Sequence, residues 1–227
     1  VLLNDPPREE KEGSAIFVDL DTIKKECDFI TVHTPLTKTG KHKTYHLVDD
    51  KFLNEVAKKP FIINAARGGV TSNESLKAAI KGGKISGVVM DCWENEPEID
   101  RELLFIADIA TPHIAGYSAD GKWTATKMSI ENLRGFFNLD VEPDYSSIPD
   151  PLNPIIDLHG IDEENQLAYA VWHSYDPIKE SEELKQYPEK FYWFRSNYPL
   201  RREYKAYTVV NAAFSVNDLL SKLGFNI

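Results

Sequence analysis

Short apolar runs alternate with amphipathic segments through the first 139 residues, and this alternation restricts the folds open to the chain. The runs are rich in Ile and Val and are apolar throughout, as is typical of parallel strands covered on both faces. Repeated β-α-β units predict an α/β fold with a partial doubly wound, Rossmann-type parallel sheet, which binds ligands at the carboxyl ends of its strands. The predicted strands are residues 1–4, 15–18, 29–33, 61–65, 86–90 and 109–111.

The segments between these strands have the spacing of amphipathic helices. Asn73 is a candidate N-cap for one of them, and Gly82-Gly83 is a suitable stop. The predicted helices of this part are residues 21–26, 49–57, 73–81, 101–106 and 118–137. Further along the chain we predict helices at 162–174, 177–187 and 216–224, with a strand at 208–211.

The composition changes near residue 140, which predicts a boundary between two domains. Residues 140–160 contain four prolines among several acids, so this segment is predicted to be a linker or an extended arm. Residues 161–227 are rich in aromatic side chains and are predicted to form a small α+β domain. Because so short a module is below the usual size for a self-sufficient core, we expect it to complete its core by dimerising.

The net charge of −10 argues against a nucleic-acid-binding surface, which needs clustered positive charge. No run approaches 18 apolar residues, and no basic-then-apolar leader is present, so we expect a cytoplasmic protein that neither spans nor enters a membrane. Cys27 and Cys92 are too few and too far apart for a disulfide framework or a zinc cluster, and we expect reduced thiols.

Polar side chains follow the predicted strands where these end: Asp5, Thr34, Arg67, Asp91 and His113. Because the carboxyl ends of parallel strands share one edge of a sheet, we expect these groups at a common site. An acid in the position of Asp5 can accept hydrogen bonds from the adenosine ribose of NAD, although by itself a turn-forming Asp before Pro6-Pro7 is the more common explanation. The neighbouring Arg8 leaves NADP open as the cofactor.

Glu96 and His113 form the most informative pair, because imidazole moves protons near neutral pH and an adjacent carboxylate fixes its tautomer. Arg67 can clamp a carboxylate through two parallel hydrogen bonds, or it can cap carbonyl groups at the strand end. No spacing of the HExxH kind indicates a metal, and we predict none. The other histidines are interpreted as structural or surface residues: His33, His42, His46, His159 and His173.

The motifs NAARGG, DCWENEP and TPHIAGY, in this order and spacing, resemble those of the D-2-hydroxyacid dehydrogenase family. The resemblance implies an NAD-dependent oxidoreductase whose nucleotide-binding domain is residues 1–139. It assigns the substrate carboxylate to Arg67, proton transfer to His113 and stabilisation of the imidazolium to Glu96. It further implies cofactor contacts from Asp5, Thr34, Asp91 and Gly116, and a substrate contact from Tyr117.

Within that family the chain is most similar to the members that oxidise 4-phospho-D-erythronate in the synthesis of pyridoxal 5′-phosphate. The features that carry this likeness are VHTPLTKTGKHKTYHL, HIAGYSADGK and the aromatic C-terminal module. They imply a small phosphorylated 2-hydroxy acid as substrate and a homodimer formed through residues 161–227. Arg195, Arg201 and Arg202 could reach the substrate phosphate of a second subunit, or could be surface residues of the dimer interface.

The family pattern also requires a first strand and a glycine-rich turn before the ribose-binding acid, and nothing precedes Val1 here. The missing strand is expected in the middle of the sheet, and we expect that this chain alone neither binds NAD tightly nor turns over substrate. Two alternatives stay open. One is a relative acting on phosphoglycerate or on glyoxylate or hydroxypyruvate, and the other is a non-catalytic NAD-sensing interaction protein of the same fold.

Overall fold

The computed structural model describes residues 1–13, 16–141 and 147–227. Its larger sheet has four strands, which lie side by side in chain order and are all parallel. Parallel neighbours require a crossover connection, so each strand begins at the same edge of the sheet. The predicted doubly wound parallel sheet is confirmed, with strands β1 (Phe29–Val32), β2 (Phe61–Asn64), β3 (Gly87–Met90) and β4 (Ile109–Ala110).

Helices occur wherever the periodicity predicts them, and two further helices have no sequence prediction. The helix at residues 6–12 starts at Pro6-Pro7, because proline is well tolerated in a first helical turn. No helix in the described ranges is both long and apolar enough to cross a membrane. The helices are α1 (Pro6–Glu12), α2 (Leu20–Glu26), α3 (Asp50–Asn54), α4 (Asn73–Lys81), α5 (Arg101–Ile106), α6 (Ala119–Phe137), α7 (Glu163–Ser174), α8 (Pro177–Gln186), α9 (Phe191–Ser196) and α10 (Phe214–Leu223).

The first two predicted strands, residues 1–4 and 15–18, are wrong as strands. They contribute one isolated bridge between Leu3 and Phe17, and Ala15 lies outside the described residues. The sequence also predicts that each strand is buried on both faces, and this prediction is wrong for β1. As the end strand of the four, it buries Ile30 while Phe29 is 66% exposed and stacks on Phe61 of β2.

Helix α4 has its N-cap one residue before the predicted one. Ser72 is the N-cap, since its Oγ accepts a hydrogen bond from the N–H of Ser75. The N–H of Asn73, the predicted cap, instead donates to Glu94 at 2.9 Å. Serine and asparagine are both favoured at the N-cap, so the residue types alone do not show which of Ser72 and Asn73 caps the helix. The glycine stop is confirmed, with Gly82 at the C-cap and Gly83 at φ +62°.

The chain divides into two compact units, and the first comprises Val1–Ile114 together with Pro177–Ser196. The second segment adds α8 and α9 to the α/β core, where Leu184 and Phe191 are buried. Two hydrogen bonds join α8 to strand β4 and to the residue Ala107 before that strand. Ser181 Oγ accepts from the N–H of Ala110 at 2.9 Å, and the Lys185 ammonium donates to the carbonyl of Ala107 at 2.6 Å.

The second unit, Ala115–Asp176 and Asn197–Ile227, has its own small core around two parallel strands, β5 (Ile155–Asp157) and β6 (Thr208–Val210). Strand β5 falls inside the predicted linker or extended arm at 140–160, so residues 155–157 of that segment belong to the sheet of this unit. Residues 142–146 of the linker lie outside the described ranges. The compact units divide the chain elsewhere than at residue 139, and the functional domains 1–139 and 161–227 stay a prediction. The core side chains are Ile156, Leu158, Ala170, Tyr207, Val209, Val216, Leu220 and Phe225.

Candidate active site

Four of the expected site residues follow the four strands of the larger sheet, at the edge where parallel strands present their carboxyl ends. Thr34 comes after β1, Arg67 after β2, Asp91 directly after β3 and His113 after β4. A parallel α/β sheet binds its ligands at this edge. The topology therefore places the residues that the motifs indicate on one rim of the first unit.

His113 and Glu96 are paired as expected. The Nδ1 atom of His113 lies 2.8 Å from Oε2 of Glu96, and each side chain is 23% exposed. The other carboxylate oxygen of Glu96 accepts the N–H of Trp93 at 2.7 Å, which orients the carboxylate. Because Nδ1 donates to the carboxylate, Nε2 is left to accept a proton from an alcohol.

The loop that carries His113 is held by buried hydrogen bonds on both sides of it. Asp91 Oδ1 accepts from the hydroxyl of Thr111 and from the N–H of Ile114, each at 2.7 Å. The backbone of His113 has φ +56°, a left-handed conformation that the surrounding contacts impose on it. The Arg195 guanidinium also donates to the His113 carbonyl at 3.2 Å. Asp91 thus orients the loop, a positioning contact that its sequence pattern did not reveal.

Arg67 is exposed at the end of the turn after β2, and its Nη1 donates to the carbonyl of Ala66 at 2.6 Å. Within the described part of the chain it forms no ion pair. Its positive charge nevertheless acts on the buried Cys92 thiol. Burial and then the negative charges of Asp91 and Glu96 raise the pKa of Cys92 well above its usual value, and Arg67 opposes that rise. Arg67 is therefore within electrostatic reach of the same group as Glu96.

Cys92 also completes a potential metal-binding group that the sequence did not predict. Its Sγ, a carboxylate oxygen of Glu96 and a ring nitrogen of His113 all lie within 4.8 Å of one another. Thiol, carboxylate and imidazole are donors that zinc accepts. Two of these donors are the paired side chains His113 and Glu96, so a metal ion bound here would take its ligands from that pair.

The expected cofactor residues of the first unit differ in their surroundings. The Thr34 hydroxyl is buried and has no hydrogen-bond partner among the described residues, so it can serve a bound group at the strand edge. Asp5 caps helix α1, accepting the N–H of Arg8 at 3.2 Å, as the turn interpretation expects. Arg8 forms an ion pair with Glu12 at 2.8 Å. The buried hydroxyl and the strand-edge placement fit a dinucleotide at this rim.

Gly116 and Tyr117 belong to the second unit, three and four residues after His113 along the chain. A Cβ added at Gly116 would meet nothing within 4 Å, so open space adjoins its backbone. Tyr117 packs edge-on against Tyr198, with ring centroids 6.2 Å apart, and the Lys122 ammonium lies 4.0 Å from its centroid. The substrate contact expected of Tyr117 stays a prediction.

Arg201 and Arg202, which the sequence left between two interpretations, have contacts inside the second unit. Arg201 donates to the carbonyl of Ala115 at 2.8 Å and stacks over the Tyr175 ring. Arg202 pairs with the buried carboxylate of Asp120 at 2.9 Å. These contacts organise the unit around the start of α6.

His46, interpreted from the sequence as a structural or surface residue, has a carboxylate partner in the structure. Its Nε2 lies 2.7 Å from Oε1 of Glu94, two residues before Glu96. This second histidine–carboxylate pair joins residues 48 positions apart, so no local pattern could have indicated it. His42 likewise has a carboxylate partner, Glu10, at 3.3 Å.

Comparison with known proteins places this geometry in a family. The family model of the D-isomer specific 2-hydroxyacid dehydrogenase NAD-binding domain matches residues 1–115, about half of the chain. The chain belongs to the D-2-hydroxyacid dehydrogenase family. NAD as the cofactor of the family domain is confirmed, whereas the bounds 1–139 of the nucleotide-binding domain stay a prediction. A second model, described as a domain of unknown function, matches residues 148–224.

Relatives with assigned names agree with this family. The chain is 49% identical over 210 residues to an erythronate-4-phosphate dehydrogenase of Bacteroides thetaiotaomicron, covering 92% of this chain and 58% of that protein. It is 42% identical over 226 residues to the enzyme of the same name from Porphyromonas gingivalis, covering 99% and 61%. The chain therefore spans about three fifths of the length of these D-2-hydroxyacid dehydrogenases. The D-lactate dehydrogenase of Aquifex aeolicus, solved with NAD and lactic acid, is 28% identical over 56% of this chain and 42% of that one, with a TM-score of 0.47.

Proposed function

We propose that this chain is part of a D-2-hydroxyacid dehydrogenase that oxidises 4-phospho-D-erythronate at C2 to the 2-oxo acid, a step in the synthesis of pyridoxal 5′-phosphate. The family supports the reaction class, and the names of the two relatives support the substrate. We further infer a cytoplasmic homodimer, with residues 161–227 as the dimerisation domain.

The observation that carries the proposal is the 2.8 Å contact between His113 Nδ1 and Glu96 Oε2. Oxidation of an alcohol carbon removes the hydroxyl proton and a hydride from C2. His113 accepts the proton at Nε2, and Glu96 stabilises the resulting imidazolium through the hydrogen bond at Nδ1. NAD, when bound, supplies the acceptor for the hydride.

Arg67 binds the substrate carboxylate and polarises the oxygen that becomes the carbonyl. A guanidinium has five N–H donors in a planar fork, and the contact to Ala66 uses one edge of it. The motif resemblance implies cofactor contacts from Asp5, Thr34, Asp91 and Gly116, and the first three lie within the matched NAD-binding domain. The buried Thr34 hydroxyl has no hydrogen-bond partner in the described ranges, which supports its assignment to the cofactor cleft. Tyr117 contacts the substrate.

Steady-state kinetics of the full-length protein test this proposal. The value of kcat/KM for NAD-dependent oxidation of 4-phospho-D-erythronate should exceed that for oxidation of 3-phosphoglycerate. It should also exceed the values for NADH-dependent reduction of glyoxylate and of hydroxypyruvate. A preference for one of these others would replace the proposed substrate and leave the reaction class intact.

The variant His113→Ala separates an enzyme from an NAD-sensing protein. Removing a general acid–base group should lower kcat by about 10² to 10⁴ while the protein still binds NAD. His159→Ala, at an exposed histidine of the second unit, is the matched control and should keep full activity. Unchanged behaviour of His113→Ala, with no turnover of any hydroxy acid by the parent protein, would refute the enzymatic function.

A further inference from the structure

A second histidine–carboxylate pair stands beside the first, and both carboxylates come from the same turn. Glu94 reaches His46, with Oε1 and Nε2 2.7 Å apart, whereas Glu96 reaches His113. The turn between these glutamates has Asn95 in a left-handed conformation at φ +61°. The proposed mechanism uses the pair at His113 and leaves the pair at His46 without a role.

The His46–Glu94 pair touches the segment that follows Arg67 at several points. The N–H of His46 donates to the carbonyl of Gly69 at 2.8 Å, and Val48 continues the contact as a parallel bridge to Thr71. The second carboxylate oxygen of Glu94 accepts the N–H of Asn73 at 2.9 Å. Both members of the pair are therefore hydrogen-bonded to the chain within six residues of Arg67.

The Arg67 turn, residues 67–70, also packs against the backbone of Trp93 and Glu94. A Cβ added at Gly68 would lie 1.9 Å from the carbonyl oxygen of Trp93 and 2.5 Å from the nitrogen of Glu94. A turn packed this tightly against a second loop moves with that loop. The Glu94 carboxylate thus fixes the spacing between the turn of Arg67 and the loop of Glu96.

We propose that His46 and Glu94 are positioning residues, which hold the Arg67 turn in register with the Glu96–His113 pair so that one substrate can meet both. This inference rests on the proposed function, in which Arg67 binds the carboxylate and His113 takes the proton. His46 keeps a left-handed backbone at φ +52° and stacks on Tyr45 at 4.0 Å between centroids. Such conformations persist only where surrounding contacts impose them, which is consistent with a constrained site.

Kinetics of the full-length Glu94→Ala and His46→Ala variants test the proposal. Misplacing a binding group by about 1 Å can cost about 10²-fold, so we expect KM for the hydroxy acid to rise at least about tenfold. KM for NAD should stay within about twofold, because these residues do not touch the proposed cofactor residues. His46→Gln should recover most of the loss, since its Nε2 can still donate to Glu94.

The matched control is His42→Ala, which breaks another histidine–glutamate pair, with Glu10, remote from Arg67 in the hydrogen-bond pattern. It should leave both KM values unchanged. A merely structural role would lower the melting temperature of the Glu94→Ala and His46→Ala variants without changing KM of the folded enzyme. Unchanged KM values in folded variants would therefore overturn the proposal.

A crystal structure of the Glu94→Ala variant gives a test that does not depend on turnover. The turn at residues 67–70 should be displaced from the Trp93 carbonyl, and an undisplaced turn would overturn the inference. If the parent protein oxidises no hydroxy acid, the proposed function fails, and the position of the turn still decides whether Glu94 sets it.

Discussion

Asp91 accepts a hydrogen bond from the backbone N–H of Ile114 at 2.7 Å, through the same oxygen that binds the Thr111 hydroxyl. Asp91 directly follows strand β3, and the two donors flank His113 on the loop after β4. The side chain is 5% exposed, so these donors have little access to water in its place. One carboxylate therefore connects two strand ends and determines where the imidazole of His113 stands.

Replacing Asp91 with Ala should destabilise the protein as well as reduce its activity. The substitution leaves two buried donors without their acceptor, and each unsatisfied group costs about 1–3 kcal/mol. We expect the free energy of unfolding to fall by about 2–5 kcal/mol in urea denaturation. Asp218→Ala, at an exposed residue that pairs with Lys222, should change it by less than about 0.5 kcal/mol. Equal effects of both substitutions would contradict this account of Asp91.

Gly68→Ala should disrupt the Arg67 turn, because the new methyl group would lie 1.9 Å from the Trp93 carbonyl oxygen. Backbone must move to admit it, so we expect a loss of kcat/KM of at least about 10²-fold. Gly135→Ala is the control: its Cβ meets nothing within 4 Å, and it lies inside helix α6. The control should gain about 0.5–1 kcal/mol from helix propensity. Full activity of Gly68→Ala would show that the turn adapts freely.

Asp120 should contribute stability that acid removes. Burial by itself would raise the pKa of Asp120, but hydrogen bonds from Arg202 and the N–H of Glu203, together with nearby positive charge, lower it below the ordinary 3.8. The depressed pKa means that the contribution is complete above the unfolded-state value and is lost as the pH falls through the folded-state value.

The Asp120→Asn variant checks this pH dependence. At pH 7 it should be less stable than the parent by about 3 kcal/mol, the cost of breaking a buried pair. In urea titrations that difference should shrink as the pH falls below about 4. Asp140→Asn, at an exposed position, should show no such trend. A difference that stays constant from pH 7 to pH 3 would exclude Asp120 as its source.

Ser181→Ala tests whether α8 belongs to the first unit. The hydroxyl is the acceptor for the N–H of Ala110 in strand β4, and Ser181 is 2% exposed. Leaving that N–H unpaired should cost about 1–3 kcal/mol in the unfolding free energy. Ser221→Ala on helix α10, at an exposed serine, should have little effect. An unaffected Ser181→Ala variant would mean that α8 does not support β4.

The local sequence pattern was sufficient to predict most strands and helices of the α/β core. The four paired strands are short Ile- and Val-rich runs, and α4 and α5 occupy the predicted residues 73–81 and 101–106. The His113–Glu96 pair was also predictable, because an imidazole and a carboxylate in two adjacent strand-end motifs have few other places to meet.

Contacts between distant residues were not predictable in this way. Strand β5 is three residues long in a proline-rich stretch, and it is a strand only because β6, some fifty residues later, pairs with it. Ser181 and Ala110 are 71 residues apart, so no periodicity reveals that α8 packs on the first unit. The same holds for His46 and Glu94, which are 48 residues apart, because the DCWENEP motif does not indicate which side chain Glu94 contacts.

The burial of Cys92 has a consequence for the chemical durability of the site. The thiol is fully enclosed, and burial together with two neighbouring carboxylates raises its pKa, so it stays protonated. Oxidants and alkylating reagents attack thiolates, and a protonated, enclosed sulfur offers them neither charge nor access. We therefore expect such reagents to leave the sulfur next to the Glu96–His113 pair unmodified.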